Sequence, residues 1–405
     1  MTRVEEKFKK LGIDNAPGQE GLQAEEKLEL RGEKLEGEFV DFSHGDVDAH
    51  PPIPGSLERF IESYKAGGKQ AYSEYRGHKF IREKVAKNIE DFTGVKIDPN
   101  DNIIITPGTQ GALFLAMSSL IAADDKVAIL EPDYFDNRKL AEFLEADIYP
   151  IQLDYLNAPS GSSGIDFNAL ENAFKDGVRV FLFTNPGNPT GAVYSKKELE
   201  EIARLARKYE VTLLADELYS RQIFDGREYH HMINEDVDFD KLITIMGPSK
   251  TESMSGFRLG IAYGSKQIID RMEKLQAIVS LRAPGYNQAM LDLWFDEPEG
   301  WLEDRIRAHQ EIRDDLVAKF RSVEGVKIRP TEGGSYIFPK LPKLDVSIGD
   351  FVKILRAHAN VIVTVGTEFG PQFDDCIRLN FSQDPKKASD AVDRIVEMIE
   401  RYRSK

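Results

Sequence analysis

Four short segments hold residue types that can do chemistry, and each follows an apolar run. Lys250 closes Gly247-Pro248-Ser249-Lys250, just after Lys241–Met246. A lysine at the end of a buried strand is costly unless it is paired or used covalently, because burial penalises the ammonium. Taken alone, it would better fit a surface lysine on a loop. Asp216 opens Asp216-Glu217-Leu218-Tyr219 after the run Val211–Ala215. Such an acid caps a helix, joins an ion pair, or holds a pyridine nitrogen protonated. Asn185-Pro186-Gly187-Asn188-Pro189-Thr190-Gly191 follows Arg179–Thr184. Its two Asn-Pro steps around a glycine force an unusual turn, for which a cis bond is one solution, and an Asn amide there can donate to an oxygen on an aromatic cofactor. Pro107-Gly108-Thr109-Gln110-Gly111 follows Asn102–Thr106 and opens a helix. Small residues at that point turn backbone N–H groups toward an anion such as phosphate, although many glycine-rich turns are only turns.

The elements that must position these segments come next. Further strand-like runs lie at Lys126–Leu130 and Arg258–Tyr263, and amphipathic helices at Gly111–Ile121 and Lys196–Lys208. Ser195 with Glu198 forms a capping box before the second helix. This alternation predicts an α/β protein, with a mainly parallel sheet covered by helices on both faces. Ligands in that architecture sit beyond the C-terminal strand ends, where all four segments fall. After Gly264 the pattern changes to helices Gln267–Val279 and Glu299–Ser322, strand-like pieces Gly334–Phe338, Val361–Val365 and Cys376–Phe381, and a closing helix Lys387–Arg401. That reads as a smaller α+β domain. The expected division is an N-terminal arm or part of the small domain over residues 1–50, a large domain over 51–295 and a small domain over 296–405. Residues 1 to about 40 are polar and read as one or two surface helices or an arm.

Composition excludes several function classes. A chain of 405 residues with a formal net charge of −16 would repel nucleic acid, and its lysines and arginines are interleaved with acids instead of gathered in a patch. No signal-peptide core or bilayer-length apolar stretch is present, and the single cysteine, Cys376, has no internal partner. A cytoplasmic protein with no membrane association is therefore expected. The seven histidines, His230 and His231 or His44 and His50 among them, lack zinc-site spacing, so no metal is expected.

Together the motifs NPGNPTG, DELY, SKTESMSGFRLG and IRLNFS, with Tyr72 and Gly77 upstream in AYSEYRGHKFIR, resemble the fold-type I enzymes that use pyridoxal 5′-phosphate, specifically the class I/II aminotransferases. The similarity runs from about residue 40 through nearly the whole chain. Spacing agrees too: 28 residues separate Asn188 from Asp216 (216 − 188) and 34 separate Asp216 from Lys250 (250 − 216). The resemblance implies that Lys250 is the Schiff-base lysine and the base that moves the Cα proton. It implies that Asp216 pairs with the pyridinium nitrogen, that Asn188 and Tyr219 bond the ring oxygen, and that Tyr134 stacks on the ring. Gly108, Thr109, Gln110, Ser249 and Arg258 would hold the phosphate, joined by Tyr72 from a second subunit of a homodimer with shared active sites. Arg378 would grip the substrate α-carboxylate, with Gly45 and Asn188 beside it.

Three places depart from the family pattern: His44-Gly45-Asp46-Val47-Asp48, Glu252 after the lysine, and Arg282 in Leu281-Arg282-Ala283-Pro284. If Arg282 faces the substrate, dicarboxylic amino acids are favoured. If Asp46, Asp48 and Glu252 do, a basic or polar donor is. The expected reaction moves the amino group of an L-amino acid to a 2-oxo acid. A C–S lyase, a decarboxylase or an amino acid oxidase on the same fold is the alternative, since the site decides which bond breaks.

Overall fold

The computed structural model describes residues 2–11 and 28–404. After a two-residue strand, β1 (Val40–Asp41), the chain forms β2 (Ile103–Pro107), β3 (Lys126–Glu131), β4 (Asp147–Gln152), β5 (Val180–Thr184), β6 (Thr212–Asp216), β7 (Leu242–Met246) and β8 (Leu259–Gly264). These last seven make one sheet in the order β2-β8-β7-β6-β5-β3-β4. Six are parallel, and β8 runs antiparallel between β2 and β7. Central strands such as β5 and β7 are buried along their whole length, so their sequences, VFLFT and LITIM, are continuous apolar runs. Alternate residues feed opposite faces: Ala128 and Leu130 of β3 enter one core, Val127 and Ile129 the other.

Strand β4 has no counterpart in the sequence reading. It sits at the sheet edge, pairs with β3 alone, contains Pro150 and is largely exposed or half-buried, so no apolar run marks it. The other strands of this sheet appear within a residue of their predicted ends. Ser195 and Glu198 form the capping box at the start of helix Lys196–Tyr209.

The smaller domain contains β9 (Tyr336–Ile337), β10 (Val361–Ile362), β11 (Thr364–Val365) and β12 (Ile377–Asn380). The single strand expected over Val361–Val365 is divided: β10 pairs with β1, and β11 joins the antiparallel set β11-β12-β9. Helix Trp301–Arg321 and the closing helix, Pro385–Tyr402, cover these strands. The closing helix starts two residues earlier than expected because Asp384 caps it and Pro385 fits its first turn. Val40 and Phe42 share one buried core with Leu316, Phe351 and Ile395. Helix Arg3–Lys10, by contrast, lies against helix Phe135–Phe143, with the Phe8 and Phe143 rings 6.3 Å apart. Of the rest of the expected N-terminal helices or arm, residues 12–27 lie outside the described residues and residues 28–39 form no helix.

Candidate active site

Strands β2, β5, β6 and β7 are parallel and end at the same side of the sheet, with β8 between β2 and β7, and the four motifs leave the sheet there. Thr109, Gln110, Tyr134, Asn188, Asp216 and Tyr219 line one cavity of about 160 Å³, and Ser249, Lys250 and Arg258 complete its wall. Gly108 starts the helix Gly108–Leu120 with φ +77°, and a β-carbon on it would collide with the Arg258 guanidinium. Only glycine lets that helix start approach the arginine so closely. Arg258 is itself held in the left-handed region, φ +55°, with Nη1 donating to Ser255 O at 2.8 Å. Both Asn-Pro bonds of the motif after β5 are cis, as its sequence suggested.

Asp216, the last residue of β6, is buried and accepts a hydrogen bond from the Leu218 N–H at 3.1 Å. Burial raises its pKa to about 6, Glu217 pushes the same way, and the Leu218 N–H and Lys250 act against them. Tyr219 donates to the Tyr336 hydroxyl at 3.1 Å. Burial alone would raise Tyr336, but the charges of Lys250 and Arg378 and the bond from Tyr219 bring it down to about 8. Tyr134 O–H lies 2.8 Å from Asp136 Oδ2 and 3.1 Å from Gln110 Oε1. Its neighbour Asp133 is buried, accepts the Tyr134 N–H at 2.7 Å and is raised by that burial to about 7.

Arg378, on β12, is 4% exposed. Nη1 donates to Asn188 Oδ1 at 3.1 Å, and Nη2 to Ser43 O and Thr364 Oγ1, each at 3.2 Å. The guanidinium stands 4.3 Å from the Tyr336 ring centre, its Nε is buried with no partner, and no carboxylate pairs with it among the described residues. A desolvated guanidinium with only neutral partners is built to receive an anion. Since Arg378 occupies the Asn188 carbonyl, the amide N–H groups of Asn188 are left to serve the cavity.

A second cavity, about 300 Å³, opens from the first at Ser249 and Lys250 and is walled by Gly45, Ser253, Ser335, Asn380 and Ser382. Asp46 also lines it. Glu252 does not: it is 1% exposed and paired with Arg221, which also holds Glu297. Asp48 is exposed outside this cavity. Tyr72 is 80% exposed and lines neither cavity of its own chain. Arg282 stacks over it, 5.2 Å from the ring centre, and over Tyr75 at 5.5 Å.

The geometry suits pyridoxal phosphate. Ser249 Oγ, which lines the first cavity, is buried without a partner, as an unfilled hydrogen-bonding position around a polar group would be. A carboxyl, an amide and a lysine surround the same space, and Gly108 clears room beside Arg258. Tyr336 belongs to this set and was not singled out from sequence. Its strand was expected, but only the chain's fold brings that strand against Tyr219.

Residues 38–395 match the family described as aminotransferase class I and II. An aspartate aminotransferase from Musicola paradisiaca is 28% identical over 374 residues, covering 91% of each chain. An aromatic-amino-acid aminotransferase from Thermococcus litoralis is 26% identical over 347 residues, 85% of this chain and 88% of that one. The crystal structure of an aspartate aminotransferase from Rhodobacter sphaeroides superposes with a TM-score of 0.93 at 55% identity, covering 99% of this chain and 100% of that one. The extent of the family match and this degree of identity show that the chain belongs to the class I and II aminotransferases and is an aminotransferase of the pyridoxal-phosphate-dependent kind.

Proposed function

We propose that the protein moves the amino group of a dicarboxylic L-amino acid, aspartate foremost, to a 2-oxo acid, with Lys250 as its cofactor-bearing lysine. The convergence of Lys250, Asp216, Asn188 and the unpaired Arg378 on one site carries the reading of the chemistry. The substrate class is supported by the 55% identical aspartate aminotransferase of Rhodobacter sphaeroides. Pyridoxal phosphate, when bound, supplies an aldehyde that the amino group can attack and a ring that takes up the electrons left on Cα. Arg378 grips the α-carboxylate with its fork of N–H groups and so fixes Cα beside Lys250. Lys250 then takes the Cα proton and returns it to the cofactor side. Asp216 would keep the ring nitrogen protonated, Asn188 would donate to the ring oxygen, Tyr219 would do so once its proton turns from Tyr336, and Tyr134 would cover the ring face. Gly108, Thr109, Gln110, Ser249 and Arg258 hold the phosphate. Gly45 closes the substrate side.

A panel of donors with purified holoenzyme tests this. Aspartate with 2-oxoglutarate should yield oxaloacetate and glutamate in equal amounts, with kcat/KM above that for alanine or lysine. Carbon dioxide, pyruvate released without a 2-oxo acid, or hydrogen peroxide would favour the alternative reactions.

We also infer a homodimer with shared sites, acting in the cytoplasm. Leu57, Tyr64, Tyr72, Ile278 and Leu281 are all more than half exposed. Tyr64 meets Tyr286, and Arg282 lies over Tyr72 and Tyr75, so the segments around residues 57–75 and 278–286 share one apolar face. On this reading, Tyr72 reaches the partner's phosphate and Arg282 the mouth of the partner's substrate cavity. Mixing Tyr72→Phe and Lys250→Ala proteins, each poorly active alone, puts both defects into one site of the hybrid and none into the other. After full subunit exchange, about a quarter of wild-type activity should return. No recovery despite proven exchange would argue against shared sites.

A further inference from the structure

We propose that Ser253, backed by Arg305, reads the side-chain carboxylate of the substrate; this rests on the dicarboxylate reading above and assigns it to residues of this chain's own second cavity. That cavity runs up to Lys250, so it is the space available to a substrate side chain once Arg378 holds the other end. Apart from Lys250, its wall contains no lysine or arginine, and Asp46, the acid on it, is turned to the N–H groups of Asp48 and Ala49. The cation stands one side chain farther back.

Arg305 projects from helix Trp301–Arg321 and is 9% exposed. Its Nη1 donates to Ser253 Oγ at 2.6 Å, its Nη2 donates to Pro51 O at 2.7 Å, and its guanidinium lies 4.4 Å from the Trp301 ring centre. All three partners are neutral, and no ion pair involving Arg305 occurs among the described residues. Glu252, next to Ser253 in sequence, is taken by Arg221, and Asp304, next to Arg305, by Arg307. A serine hydroxyl has one proton and two lone pairs, so a lone pair committed to Arg305 leaves the proton to be donated into the cavity. The donor is sharpened by the positive charge behind it. Ser253 is held at φ +55°, a conformation that side chains rarely adopt and that only firm surroundings maintain.

One helical turn on, His309 fixes the opposite polarity. Its Nδ1 lies 2.8 Å from Arg305 O, which can only accept, so Nδ1 carries the proton and Nε2 accepts from the Ser382 hydroxyl at 2.9 Å. Ser382 therefore offers the cavity a lone pair, and a carboxylate settles on the Ser253 side.

The test uses the holoenzyme and its Ser253→Ala, Arg305→Gln and Arg305→Lys variants. Steady-state kinetics with aspartate and with alanine are compared, together with the Kd of succinate, an unreactive dicarboxylate. Ser253→Ala and Arg305→Gln should each raise the aspartate KM and the succinate Kd about tenfold relative to any change with alanine, and Arg305→Lys should recover part of the loss. Arg305 also ties down Pro51 and Trp301, so Ser253→Ala decides the matter if Arg305→Gln fails to fold. Equal losses on both donors, or no loss, in a folded Ser253→Ala protein would overturn the proposal while leaving an aspartate-preferring wild type intact. A wild type that prefers alanine or asparagine would instead overturn the dicarboxylate reading and this proposal with it.

Discussion

Alanine in place of Lys250 is expected to cut transamination by about 10⁴-fold or more while the protein stays folded, because nucleophile and base are lost together. Lys250 lines both cavities, where the cofactor-side and substrate-side spaces meet. Borohydride reduction of the wild-type holoenzyme followed by peptide mapping should place the cofactor on the peptide that contains Lys250. A label on any other lysine would falsify the assignment. The variant should retain noncovalent cofactor through Thr109, Ser249 and Arg258. A second readout does not depend on activity. The Lys250 ammonium is the largest influence lowering Tyr336 against its burial, so in the cofactor-free protein the variant should shift a tyrosine ionisation to higher pH in ultraviolet difference titration.

Asp216→Asn should slow turnover by about 10³-fold and weaken cofactor binding, since a neutral amide cannot keep a proton on the ring nitrogen. Stability of the cofactor-free protein should move the other way. The folded pKa of Asp216 lies at about 6, above the ordinary 3.8, because burial disfavours the carboxylate. A raised carboxyl pKa means the folded state pays a cost that is absent below about pH 4, grows as pH rises and is complete above about pH 6. Removing that charge should therefore stabilise the cofactor-free variant above pH 6, by up to about 3 kcal/mol, and give no advantage below about pH 4. Thermal melts of cofactor-free wild type and variant across this range check the sign. A variant that is less stable at pH 8 would show that Asp216 is satisfied by its protein neighbours and is not kept for a cationic ligand.

Much of the site was legible in the sequence because its parts are local. An apolar run long enough to be buried on both faces marks β5, β6 or β7 wherever it occurs, and the residue that follows it must emerge at the strand end. Lys250, Asp216 and Asn188 were placed that way, and Gly108 by the backbone freedom that its helix start requires. The resemblance then attached roles to Arg378, Arg258 and Tyr134, which no periodicity reveals.

The fold alone decided which way side chains point and what they meet. Glu252 follows Lys250 by two residues and looked like a pocket acid, yet it turns to Arg221, 31 residues away in sequence. Arg305 reaches Ser253 across 52 residues, and Tyr219 finds Tyr336 across 117. Edge strand β4 and the division of Val361–Val365 between two sheets likewise depend on neighbours brought from elsewhere in the chain. Sequence patterns encode backbone conformation and burial, which repeat every two or 3.6 residues and so can be read in place. A polar side chain is steered by the one donor, acceptor or charge opposite it, and that partner is chosen by packing between distant elements.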